Sequence, residues 1–205
     1  MPEKGVNLRR RRFLTAATGT VGGVGLAAVA WPFLTSMQPS ARARAAGAPV
    51  EVNIGKIEPG QLIRQEWRGK PVWVVRRTQK MLDELEKIAS QLRDPESRTA
   101  SQQPVFAQNK YRSIKPEYLV LVGICTHLGC SPTFMPKPGA GGMGGDWPGG
   151  FFCPCHGSRF DLAGRVFKNV PAPTNLEVPP YKYLSDTRLL VGASAKGNND
   201  KGGAA

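Results

Sequence analysis

The chain has 205 residues, with 28 lysines and arginines against 15 aspartates and glutamates, for a formal net charge of +13. Seven basic residues and one acidic residue fall in the first 48 positions, so nearly half of the excess sits ahead of any candidate core. A nucleic-acid module gathers its charge with aromatics on one folded domain, which this distribution excludes, and the roughly 150 residues left for folding suit one core-bearing domain.

Residues 1–12 are polar and end in Arg9-Arg10-Arg11-Arg12. No charge follows until Arg42, a gap of 29 residues. Leu14, Val21, Val24, Leu26, Val29, Trp31, Phe33 and Leu34 make that gap apolar. A helix of about 20 such residues crosses a bilayer. Residues 13–37 are therefore expected as one transmembrane helix, with Trp31 near an interface. The arginine cluster keeps the N-terminus cytoplasmic. The rest of the chain then lies on the periplasmic side of a bacterial inner membrane. Arg10-Arg11-x-Phe13-Leu14 also resembles a twin-arginine export signal, against the plainer reading of an anchor with a basic flank. Ala43-Arg44-Ala45 has the small residues of a cleavage site, but retention as an anchor is expected. Residues 38–49 lack apolar pattern and read as a linker.

A head domain is expected over residues 50–193. Residues 50–54, 61–67 and 72–76 read as strands, with a turn at Arg68-Gly69-Lys70-Pro71. Over residues 78–92 the period changes: Met81, Leu82, Leu85, Ile88, Ala89 and Leu92 form one helical face, a packing stripe. Asp94-Pro95 ends it. Residues 97–115 read as polar loop. Residues 118–124 form a buried strand that delivers Cys125. Residues 132–150 are Gly- and Pro-rich and read as irregular. Short strands are expected at 160–161, 165–167, 176–178, 181–184 and 188–191. Residues 194–205 read as a disordered tail.

All four cysteines and both histidines lie in two short boxes, Cys125-Thr126-His127-Leu128-Gly129-Cys130 and Cys153-Pro154-Cys155-His156-Gly157-Ser158. Thiolate and imidazole together suit zinc or iron–sulfur chemistry. Six candidate ligands are present where one small site needs four. One resolution puts two cysteines and two histidines on metal and leaves two cysteines for a disulfide. Such a bond needs an oxidising compartment, hence export. A Cys2His2 zinc site fits poorly, because zinc spacing pairs Cys with Cys and His with His.

The two boxes closely resemble those of Rieske iron–sulfur proteins, and more specifically the Rieske subunits of cytochrome bc1 complexes. Trp67-Arg68-Gly69-Lys70-Pro71 and Leu92-Arg93-Asp94-Pro95 are similar to the same family. The resemblance implies a mainly β fold: a Rieske-type antiparallel β-sandwich head, a small cluster-binding subdomain and a helical insert, after one N-terminal transmembrane helix. It implies one [2Fe–2S] cluster per chain, with two histidines in place of cysteines on one iron. Cys125 and Cys153 would bind one iron, and His127 and His156 the other. Cys130 and Cys155 would form the disulfide, with Leu128 and Ser158 beside the cluster. The implied activity is that of an electron-transfer subunit of quinol–cytochrome-c reductase. His156 would meet ubiquinol at the interface with cytochrome b, and the head would then swing to cytochrome c1, in a dimeric complex. The exported Rieske subunit of arsenite oxidase is the competing assignment.

Two positions depart from the family pattern. Phe160 stands where the second box usually has a tyrosine, whose hydroxyl would donate to the sulfur at Cys125. Val170 stands where a glycine usually precedes the Pro171-Ala172-Pro173 loop, which leaves that loop's local shape open.

Overall fold

The computed structural model describes residues 5, 7–144 and 147–193. It divides into two units, residues 1–45 and 46–205. The expected disordered tail lies outside the described residues.

The first unit is helical. Helix α1 runs Leu8–Ser36, about 44 Å at 1.5 Å per residue. It starts inside the basic segment rather than after it. Asn7 caps it, its side chain accepting from the Arg10 N–H at 3.1 Å, so Arg9 to Arg12 occupy its first turns. None of its residues is buried, and it is long and apolar enough to cross a membrane. Within the expected linker a six-residue helix, α2 (Ala41–Ala46), forms. Ser40 supports its start by accepting from the Ala43 N–H. Alanine and arginine are good helix formers, and absence of apolar pattern does not forbid a helix.

The head holds nine strands among the described residues, in three antiparallel three-stranded sheets. Strand β1 (Val50–Asn53) pairs with β9 (Arg188–Val191), and β9 with β8 (Tyr181–Ser185). The second sheet runs β2 (Leu62–Trp67), β3 (Lys70–Arg76), β4 (Tyr118–Val122). The third runs β5 (Thr133–Met135), β6 (Gly150–Cys153), β7 (Ser158–Phe160). The middle of β3 and all of β4 are buried. Their β-branched and aliphatic runs therefore pack on both faces rather than alternating.

Several expected boundaries change, each for a physical reason. The helical stripe yields α3 (Gln79–Lys87), capped by the Thr78 side chain, and then a 3-10 turn at Ala89–Gln91. Tertiary bonds draw the chain off the helix there: Lys168 donates to the Gln91 carbonyl, and Arg93 to that of Val166. Leu85, Ile88 and Leu92 of the stripe are buried, as a packing face requires. Residues 165–167 form isolated bridges, Phe160 with Val166 and Leu92 with Phe167, rather than a strand. Residues 176–178 make scattered backbone bonds to Gly164, Val122 and Gln102. Pro173, Pro179 and Pro180 flank them and cannot donate to a ladder. Conversely β5 lies in the Gly- and Pro-rich stretch expected to be irregular.

The polar loop at 97–115 contributes to the core. Arg77, Arg112, Arg165 and Asp161 are all buried. Arg165 pairs with Asp161 at 2.7 Å and donates to the Leu85 and Pro95 carbonyls. Arg112 reaches the carbonyls of Gln102, Ala163 and Gly164, and Arg77 those of Pro116 and Leu162. Backbone oxygens thus take the place of water around these cations, as burial demands. The network clamps the turn that follows β7 between the insert and the 97–115 loop.

Gly123 links β4 to the first box. A Cβ there would lie 2.1–2.5 Å from indole atoms of Trp73, which is buried and stacked on Phe151 at 5.4 Å. Gly123→Ala must push the indole off that stack, an overpacking cost of about 1–3 kcal/mol. Guanidinium unfolding of the full-length protein should show a lower midpoint; an unchanged one would mean that the ring shifts freely.

Candidate metal centre

Each box closes on itself by the same device. The Gly129 N–H donates to the Cys125 carbonyl, and the Gly157 N–H to the Cys153 carbonyl, both at 3.0 Å. Both glycines have positive φ, +85° and +76°, a conformation that glycine adopts without steric cost. The Cys125 N–H also donates to the Cys130 carbonyl at 2.7 Å. Cys153 ends β6 and pairs with Ser158, which opens β7. One box hangs from β4 and the other from the β6–β7 turn.

The two turns meet. Cys130 and Cys155 form a disulfide across 25 residues, with Cα atoms 6.7 Å apart. Cys125 and Cys153 are free and buried. The His127 and His156 rings lie 4.8 Å apart, edge to face. His156 is exposed and His127 half-buried. Leu128 stands 72% exposed, an apolar contact offered to the outside rather than packed over the thiols. Ser158 is buried beside Cys125. The sulfurs of Cys130, Cys153 and Cys155 lie within 4.8 Å of one another. Two of these share a covalent bond and are not thiolate donors, so they do not make a three-cysteine site.

Burial pushes the Cys125 thiol up, and the neighbouring Cys153 thiol adds to the rise. The His127 backbone N–H and the Ser158 hydroxyl, acting on the same sulfur, pull the other way. Two free thiols shut away from water, beside two imidazoles that reach it, make a donor set of two sulfurs and two nitrogens. That set fits a small iron–sulfur group whose sulfur side is inward and nitrogen side outward.

The Pro171-Ala172-Pro173 loop lies against the second box. The Ala172 N–H donates to Ser158 Oγ at 3.0 Å. Thr126 of the first box donates to the Thr174 carbonyl at 2.7 Å. Asn169 has φ +56°, so it supplies the left-handed turn, while Val170 is buried in its place without positive φ. Asparagine tolerates this conformation better than most residues. Nothing in the sequence marks Thr126 or Thr174 as site contacts, whereas the resemblance of Pro171-Ala172-Pro173 to the family's proline loop places Ala172 beside the cluster.

Known proteins resemble this chain over most of its length. Residues 50–182 match the family described as "Rieske [2Fe-2S] domain", and residues 1–40 match "Ubiquitinol-cytochrome C reductase Fe-S subunit TAT signal". The ubiquinol–cytochrome c reductase iron–sulfur subunit of Allochromatium vinosum is 62% identical over 192 residues, 94% of this chain and 92% of that one. The subunit of the same name from Blastochloris viridis is 46% identical over 185 residues, 90% and 93% of the two chains. A solved chain of a hyperthermophilic respiratory Complex III aligns at TM-score 0.47 and 27% identity, over 85% of this chain and 98% of that one.

Cys130→Ser removes the covalent tie between the two turns. Iron and sulfide analysis of the purified protein should then show fewer clusters per chain. Full occupancy would mean that the hydrogen bonds from Thr126 and Ala172 hold the turns together unaided.

Proposed function

The chain belongs to the Rieske iron–sulfur subunits of ubiquinol–cytochrome c reductase, and on that footing we propose the following division of labour among its residues. Cys125 and Cys153 hold one iron of a [2Fe–2S] cluster, and His127 and His156 hold the other. The observation that supports this is the pairing of two buried free thiols with two imidazoles across a disulfide-linked pair of turns. When bound, the cluster would supply one-electron acceptance and donation.

The chain's own residues supply the rest. His156, exposed, accepts the hydrogen bond of a ubiquinol hydroxyl at the interface with cytochrome b. Leu128 offers an apolar contact beside it. The disulfide and the proline loop exclude water from the sulfur side. With the cluster bound, cytochrome c1 would be the electron's acceptor, in a dimeric complex. Helix α1 is a single anchor in a bacterial inner membrane, with its basic end cytoplasmic and the head periplasmic. Residues 38–49 are the hinge between them. Ligand identity is tested by changing Cys125, His127, Cys153 and His156 singly to Ser or Ala: each variant should lose the Rieske EPR signal while retaining the disulfide. A full signal in any one of them would remove that residue from the set.

Two further outcomes are expected. Ser158 and Phe160 share the buried face of β7, with Arg159 on the other side. Ser158 stands opposite Cys153 in the ladder, so a hydroxyl on the ring two residues along is placed on the same side of the strand. A donor to a ligand sulfur stabilises the more negative reduced cluster. A net hydrogen bond of about 0.5–1.5 kcal/mol corresponds to roughly 20–65 mV for one electron. Phe160→Tyr should raise the midpoint potential by that order in protein-film voltammetry; no rise, with the cluster intact, would mean that the ring does not reach the sulfur. Changing Arg10 and Arg11 together to Lys should trap the protein on the cytoplasmic side, read by fractionation, if the pair is recognised as a twin-arginine signal. Normal periplasmic accumulation would leave a plain anchor.

A further inference from the structure

We infer that the backbone N–H of Ala172 is a positioning group for the redox site: it orients the Ser158 hydroxyl and strengthens it as a donor toward the cluster's sulfur side. The inference rests on the ligand assignment proposed above and extends it to the proline loop.

Ser158 and Ala172 are both 0% exposed. The Ala172 N–H donates to Ser158 Oγ at 3.0 Å. With its lone pair engaged there, the hydroxyl hydrogen must point elsewhere. Among the described residues Ser158 donates to no oxygen or nitrogen, and it stands opposite the buried Cys153 in the β6–β7 ladder, on the side of the free thiols. A row of three therefore runs from the loop amide through the hydroxyl to the ligand sulfur side. An O–H that accepts a hydrogen bond is polarised and donates more strongly, so the row is cooperative.

The loop is built to hold this amide still. Pro171 and Pro173 are exposed, and Ala172 between them is buried. Each proline fixes its own φ and forces the residue before it, Val170 or Ala172, into extended conformation. Arg93 donates to the Val170 carbonyl at 3.4 Å, and Thr126 to that of Thr174 at 2.7 Å. Both ends of the loop are thus tied, one to the helical insert and the other to the first box. A lid that only shed water would not need its single inward amide aimed at a buried hydroxyl. Because the donor favours the more negative reduced state, the amide raises the midpoint potential.

The test uses the full-length, cluster-loaded protein in detergent. Ala172 is replaced by its α-hydroxy analogue, which exchanges the N–H for an ester oxygen and adds no bulk. The midpoint is read by EPR-monitored redox titration, with Ser158 present and in the Ser158→Ala background. The ester should lower the midpoint, by less than Ser158→Ala does, when Ser158 is present. It should leave the midpoint unmoved in the Ser158→Ala background. Ala172→Gly, which retains the N–H, should hold the native value. Equal shifts in both backgrounds would overturn the inference, since the loop would then act without the serine. So would an unshifted midpoint with Ser158 present, or a fall in Ala172→Gly as large as that of the ester. Loss of the cluster from the ester variant would also overturn it, making the N–H a requirement of assembly. If Ser158→Ala alone does not move the midpoint, the reading of Ser158 as a donor fails, and this inference fails with it.

Discussion

The bond between Cys130 and Cys155 joins two turns that hang from different sheets. Neither turn has a hydrophobic interior of its own. Without the link, bringing four donor atoms together would cost the closure entropy of both. In the chain-entropy description, a closed loop of this size removes about 3.5 kcal/mol from the unfolded state's advantage. That is a large share of the few kcal/mol by which such domains are stable. The rest of the site depends on this constraint. The thiols stay buried because the turns are pressed together, and the imidazoles face outward because the sulfur side is filled.

The covalent tie fixes the ends of the two boxes, while the network around Asp161 fixes the ground beneath the second. Arg165 and Asp161 form an ion pair shut away from solvent, with two further arginines solvated by carbonyls. Removing one member of such a pair leaves a buried charge uncompensated, and the penalty is far larger than for a surface pair. The arginines come from three separate parts of the chain, so their shared carbonyl contacts tie the helical insert and the 97–115 loop to the turn after β7. The insert is thereby part of the site's foundation, although none of its side chains lies among the proposed ligands.

The chemistry-bearing residues were legible in the sequence because they are confined: six potential ligands in two boxes leave few arrangements. The disulfide pairing came from family resemblance and is present in the structure. The mainly antiparallel β fold, the insert and the N-terminal apolar helix were likewise legible, and strand β9 has the bounds that periodicity predicts. What sequence could not give was set by contacts between distant segments. Arginines are ordinarily surface residues, so nothing marked Arg112 as core. Strands expected at 165–167 and 176–178 fail because their backbone bonds scatter over several segments rather than forming one ladder. The left-handed turn at Asn169 is likewise a property of the folded loop that no sequence feature marked.

Helix α1 begins at Leu8, so Arg9, Arg10, Arg11 and Arg12 are helical neighbours. At 3.6 residues per turn, four consecutive positions fan around most of the circumference. Their charges form a collar rather than a stripe, and the segment beyond it has no polar face. They also sit at the positive end of the helix dipole, which offers them no stabilisation. Among the described residues none of the salt bridges involves them, and in a membrane anionic headgroups would supply the counter-charge. In a bilayer such an anchor has a defined depth and no defined heading: the collar stops it from sliding inward, but every rotation about the helix axis presents the same charge.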